Sequence, residues 1–86
     1  MNVNLPTPLV DYTSGSRNVT ANGKSLAELL LDLDRQYPGI RFRMIDEQGR
    51  VRAHVKFFVD LELQRDLNFP LALQSEVMIV AALSGG

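Results

Sequence analysis

Eighty-six residues carrying nine Lys and Arg against ten Asp and Glu, for a formal charge of -1, leave room for one core and give no global attraction to nucleic acid or an anionic membrane. No Cys is present, which excludes disulfides, thiolate metal sites and a cysteine nucleophile, so sulfur chemistry here would need sulfur brought in from elsewhere. The N-terminus lacks a secretory signal and no apolar run approaches the roughly 18 residues of a membrane span, so a single domain over residues 1–86, in the cytoplasm, is expected.

Val3, Leu5, Thr7 and Leu9 alternate as on a half-buried strand, and Pro6 and Pro8 suit a strand end or edge because neither donates to a ladder. "YTSGSRN" reads as a loop, and "NVTANG" as a short second strand that closes at Asn22-Gly23 and makes a hairpin with the first. Ser25 is placed as an N-cap with Glu28 three residues later to complete a capping box. Leu26, Leu29, Leu30, Leu33 and Tyr37 then follow at helical spacing and predict a helix from about Leu26 to Tyr37, stopped by Pro38-Gly39. Its opposite face is polar, with Glu28, Asp32, Arg35 and Gln36.

Beyond the helix, Ile40, Phe42 and Met44 alternate with Arg41 and Arg43, and "DEQG" offers a turn. Val51, Ala53, Val55, Phe57 and Val59 alternate with Arg50, Arg52, His54 and Lys56, which predicts a strand. Leu61, Leu63 and Leu67 have no firm period, and Phe69-Pro70 interrupts, so this region is read as loop with a short edge strand or helical turn.

The sequence closes with "EVMIVAALSGG". Val77 to Leu83 is continuously apolar, which suits a strand covered on both faces and central in its sheet. The order strand, strand, helix, strand, short element, strand predicts an α+β fold in which one helix packs across a mixed sheet of four to five strands, first and last strands adjacent and parallel. Residues 82–86 are expected to form a flexible tail ending in Gly-Gly.

That element order, with a central last strand running into Gly85-Gly86, resembles the ubiquitin-like β-grasp sulfur carriers of the MoaD/ThiS family. These serve molybdopterin, thiamin and cysteine biosynthesis, and "VNLPTPLVDYTSG", "LAELLLDLDRQYPGI" and "HVKFFVD" look nearest to the cysteine-biosynthesis type. The family often has Asp-Gly-Asp before its last strand and a Pro near the start of the tail, where this chain carries Leu73-Gln74-Ser75 and Ala81.

The resemblance implies a carrier with no catalytic residue of its own. A ubiquitin-activating-like adenylating enzyme, using ATP and magnesium, would adenylate the carboxylate of Gly86, a sulfur donor would convert it to a thiocarboxylate, and a sulfur-receiving enzyme would take the sulfur. Glycine has no Cβ and threads a narrow channel, so Gly85 and Gly86 suit entry into the partner's ATP site, with Ser84 small behind them and Leu83 a grip outside. The chain itself would bind no cofactor and no metal.

Other readings stand beside this one. A ubiquitin-like protein modifier would use the same glycines, and a small protein- or nucleic-acid-binding module would carry an inert tail, frayed or left over as a linker. Arg50, Arg52, His54 and Lys56 would share one strand face, with Arg43 opposite Arg52; such a stripe is either solvated or docks an acidic surface. A nucleic-acid binder would use that stripe with Phe58 stacking, against which stand the net charge and the absence of a second interleaved aromatic. Phe58, Met78 and Val80 are candidates for an apolar docking patch on whichever sheet face the helix leaves open. His54 is the single histidine, which leaves a metal site or relay without a second imidazole.

Overall fold

The computed structural model describes residues 1–82. Five strands form one mixed sheet, β1 Asn2–Asn4, β2 Asn18–Thr20, β3 Val55–Val59, β4 Glu62–Gln64 and β5 Val77–Ala81, and one helix, α1 Leu26–Gln36, crosses it. The spatial order is β2-β1-β5-β3-β4. β5 is therefore central, parallel to β1 and antiparallel to β3, as the sequence order requires.

α1 starts where expected. Ser25 is extended at the N-cap and its hydroxyl accepts the Glu28 N–H, while the Glu28 carboxylate accepts the N–H of Lys24, one residue before the position a capping box would use. Two further unpaired donors of the first turn are met from a distance: Leu26 N–H donates to Phe69 O and Ala27 N–H to Leu67 O. The segment with no clear period thus serves the helix N-terminus. Leu26, Leu29, Leu30 and Leu33 are buried against Val3, Phe57, Val77 and Ile79, and all belong to one core.

The first strand is shorter than its alternation suggests. After Asn4 the backbone turns at Pro6 into a 3-10 helix over Thr7–Thr13, because two prolines remove the donors a longer ladder would need while Pro8 suits a helix start. Leu9 still reaches the core, from the helix and not from a strand. The β1–β2 hairpin forms with Val3 opposite Val19, and its wide loop ends through left-handed Ser14 and Gly15. Asn22-Gly23 is a link lying against the helix.

Two further expectations are corrected. Arg41–Arg43 is a 3-10 turn following Ile40, with Ile40, Met44 and Ile45 buried, so the alternation there came from a turn burying its ends. β3 begins at Val55 and not at Val51. Around "DEQG", Asp46 folds its side chain back to accept the N–H groups of Gln48 and Arg50, Gly49 takes φ 80°, and a single Ile45–Val51 bridge closes the hairpin. Arg50, Arg52 and His54 therefore share no strand face, and Arg52 pairs its N–H with Met44 O without standing opposite Arg43.

β5 is covered on one face only: Val77 and Ile79 are buried, while Met78 and Val80 stay 39% and 38% exposed. The expectation of cover on both faces fails because a single helix closes a single side of the sheet. Before β5, where the family's usual Asp-Gly-Asp is absent, the buried Ser75 hydroxyl accepts Ala72 N–H and closes the turn.

Candidate functional site

The register assembles the open face into rows. One row crosses all five strands, Asn18, Asn4, Met78, Phe58 and Leu63 in order, each opposite the next. At its β2–β1 end Asn4 donates its amide to the Asn18 carbonyl oxygen at 3.1 Å. At the other end Met78, half-buried Phe58 and Leu63 make an apolar patch, extended by Val80, whose register partner is Lys56. Phe58, Met78 and Val80 are thus brought together as the sequence suggested. Leu63 and the asparagine pair were missed there, since only the strand register reveals them as neighbours of the patch.

Past Val80, Ala81 pairs with Val55, and Ala82 N–H donates to His54 O at 2.9 Å, so the strand is held to its last described residue. Leu83, Ser84, Gly85 and Gly86, the positions expected to carry tail recognition and the reacting carboxylate, lie outside the described residues. The chain reaches them from the end of β5, beside the apolar patch.

Of the two arginines expected to dock a partner, Arg52 lies close to this strand end. Its Nε donates to Phe42 O at 2.8 Å, its guanidinium carbon is 4.7 Å from the centre of the Phe42 ring, and it lines a cleft with Arg43, His54 and Ala81. Arg50 does not line that cleft; it sits at the "DEQG" turn near Asp46, 4.0 Å from its carboxylate, and donates to the Gln48 side chain.

Asp46 and Asp32 are the carboxyl groups held below their ordinary range. For Asp46 the Arg50 backbone N–H is the main cause, opposed by burial and aided by Gln48 N–H and by the charges of Arg50 and Arg52. For Asp32 it is Asn22 N–H first, then the Arg35 side chain. Both are structural acceptors that fix a loop or link. Among the described residues no three of His, Cys, Asp and Glu gather where a metal ion would be held, and no helix is long and apolar enough to cross a membrane.

Comparison with known proteins places this geometry. The family model described as the ThiS family matches residues 3–86. The curated sulfur carrier protein CysO of Mycobacterium tuberculosis is 32% identical over 89 residues, spanning 98% of this chain and 96% of that one. Its crystal structure superposes with a TM-score of 0.89 at 31% identity, covering 95% of this chain and 98% of that one. The Amycolatopsis orientalis BexX/CysO complex gives the same TM-score at 25% identity, covering 99% and 98%. Small archaeal modifier protein 1 from Methanosarcina acetivorans shares the β-grasp fold at a TM-score of 0.80 and 20% identity, covering 99% and 94%.

Proposed function

The chain belongs to the ThiS family, whose members are small sulfur carriers and not enzymes, and from that premise we propose that it carries sulfur as a thiocarboxylate on the carbonyl carbon of Gly86. The observation that carries the reading is the whole-length likeness to CysO, together with a central β5 that leads from the open face toward Gly85-Gly86. In this reading the Gly86 carboxylate oxygen attacks the α-phosphorus of ATP on a separate adenylating enzyme, and pyrophosphate leaves. A persulfide sulfur then adds to the carbonyl carbon, AMP leaves, and a thiol cleaves the S–S bond to leave the thiocarboxylate. Sulfur comes in from the donor, in keeping with a chain that has no Cys.

Cysteine biosynthesis is the favoured destination, because the curated relatives are CysO proteins. The BexX/CysO complex is a CysO relative bound to another protein, which supports protein docking as the way such a chain delivers its cargo. Here the docking surface is Phe58, Leu63, Met78 and Val80, which is apolar, uncovered and continuous with the strand that leads to the tail.

The test is the intact mass of the purified protein after incubation with a candidate adenylating enzyme, ATP, magnesium and a persulfide donor. Exchange of one oxygen for sulfur at Gly86, absent when Gly86 is deleted, is the expected result. An unchanged mass with adenylating enzymes shown to charge other members of the family would overturn it.

A further inference from the structure

The sheet is electrically polarised along β5. At the end where β5 begins stand Asp60, Glu62 and Glu76; Asp60 N–H donates to Glu76 O, and Glu76 N–H donates to the Asp60 carboxylate. At the end where β5 finishes, the flanks of the other strands supply cations: Arg17 enters β2, Arg52 precedes β3, Lys56 is the second residue of β3, and Arg65 follows β4. Net charge conceals this.

Two clefts organise the basic end. Arg43, Arg52 and His54 line one of about 280 Å³ with Ala81, and Arg52, Lys56 and Arg65 line another of about 210 Å³ across the edge of β3 and β4. Arg52 belongs to both, and its bond to Phe42 O and its seat over the Phe42 ring fix its guanidinium there. Among the described residues the ion pairs are Arg35 with Asp32 and Arg50 with Asp46, so Arg43, Arg52, Lys56 and Arg65 have no carboxylate within 4.0 Å. Among the acids on neighbouring elements, Asp66 accepts Asn68 N–H, Asp46 is engaged by Arg50 and also feels the charge of Arg52, and Asp11 stands on the 3-10 helix whose Pro8 and Leu9 line the first cleft, with no cation within 4.0 Å among the described residues. Unmatched like charges gathered at one site repel in the free protein and are relieved by an incoming anion.

We propose that these side chains form a cationic collar that docks a carboxylate-rich protein surface, the rim of the enzyme site that receives the tail. The proposal rests on the carrier reading for the partner's identity. It differs from the apolar patch in its chemistry: Phe58 and Met78 supply contact area, whereas the collar steers encounter so that the strand end leading to the tail arrives first. Charge complementarity decides the occupant, since cations that make no ion pair among the described residues at the exit of β5 match carboxylates around a channel that must admit this strand's continuation.

The experiment measures association and dissociation rates of the full chain with the purified adenylating enzyme, at low and at moderate salt. Arg43→Glu combined with Arg65→Glu alters residues whose side chains make no hydrogen bond among the described residues, which keeps folding out of the result. Lys24→Glu combined with Arg35→Glu on the helix side changes net charge equally. The expected result is association slowed roughly tenfold or more in the collar variant alone, dissociation little changed, and a salt dependence weaker than that of the unaltered chain. Equal association rates in all three proteins would overturn the collar and leave the carrier reading standing. Failure of the unaltered chain to bind the enzyme would overturn both.

Discussion

Phe58 and Met78 are register partners on β3 and β5, side by side on the face that α1 leaves open. Both could be polar without disturbing the core, since Phe57 and Ile79 fill the buried side of the same ladder. Met78→Asp should therefore weaken binding to the adenylating enzyme by about tenfold or more while costing about 1 kcal/mol or less in stability. Titration of the labelled chain with the enzyme, beside urea unfolding, checks both; unaltered affinity would remove this face from the interface.

Gly23 is fixed by proximity. A Cβ there would fall on the Leu29 amide nitrogen and lie 2.8 Å from the Glu28 carbonyl carbon, both backbone atoms of α1 that have little freedom to move. Gly23→Ala should cost about 2 kcal/mol or more, because the link from β2 must shift away from the helix. Thermal unfolding measures this, and a stability equal to that of the parent would show that the link is loosely held.

Leu30 is buried on the sheet side of α1. Leu30→Ala should cost about 2–5 kcal/mol, the usual range for a methyl-lined cavity in a core. Sulfur loading of the fraction that remains folded should be unchanged, read as thiocarboxylate yield per folded molecule.

Asp32 ties α1 to the link before it, accepting Asn22 N–H at 3.0 Å and a Gln36 amide N–H at 3.1 Å and pairing with Arg35. Its folded pKa is lowered below 3.8, so its stabilising effect is complete above that value and is lost as pH falls through the lower folded one. Asp32→Asn should be less stable than the parent at neutral pH, with the gap closing as pH falls below the ordinary carboxylate range. Urea midpoints across that range test it; a gap constant with pH would rule out the carboxylate as the cause.

Periodicity made α1 legible because its leucines, its N-cap and its stop signal agree, and the strand placement of Val77 onward followed from apolar run length. The alternation at Ile40 to Met44 misled because a 3-10 turn that buries its flanks also exposes its middle, which over five residues copies a strand, and that at Val3 to Leu9 misled because a buried position of a 3-10 helix, Leu9, continues the spacing of a short strand. The basic stripe failed likewise, since Val51 is joined by one bridge and the residues to His54 leave the ladder. The apolar patch was half legible. Phe58, Met78 and Val80 stand in long strands, whereas Leu63 joins them through a three-residue edge strand with too few positions to show a period.

The place of β5 between β1 and β3 has a consequence for synthesis. As the chain emerges, β1 with β2 and β3 with β4 can each pair as local hairpins, but no strand pairing joins the two ribbons until residues through Ala81 are available. Until then β1 and β3 each present an unpaired edge, and Phe57 and Val3 lack the Val77 and Ile79 that complete their core. The strand that leads toward Gly85-Gly86 is thus the strand whose insertion completes the sheet. A copy whose last strand has not docked offers a partner neither an ordered open face nor a strand end in register with it, so under the carrier reading immature chains would be withheld from charging.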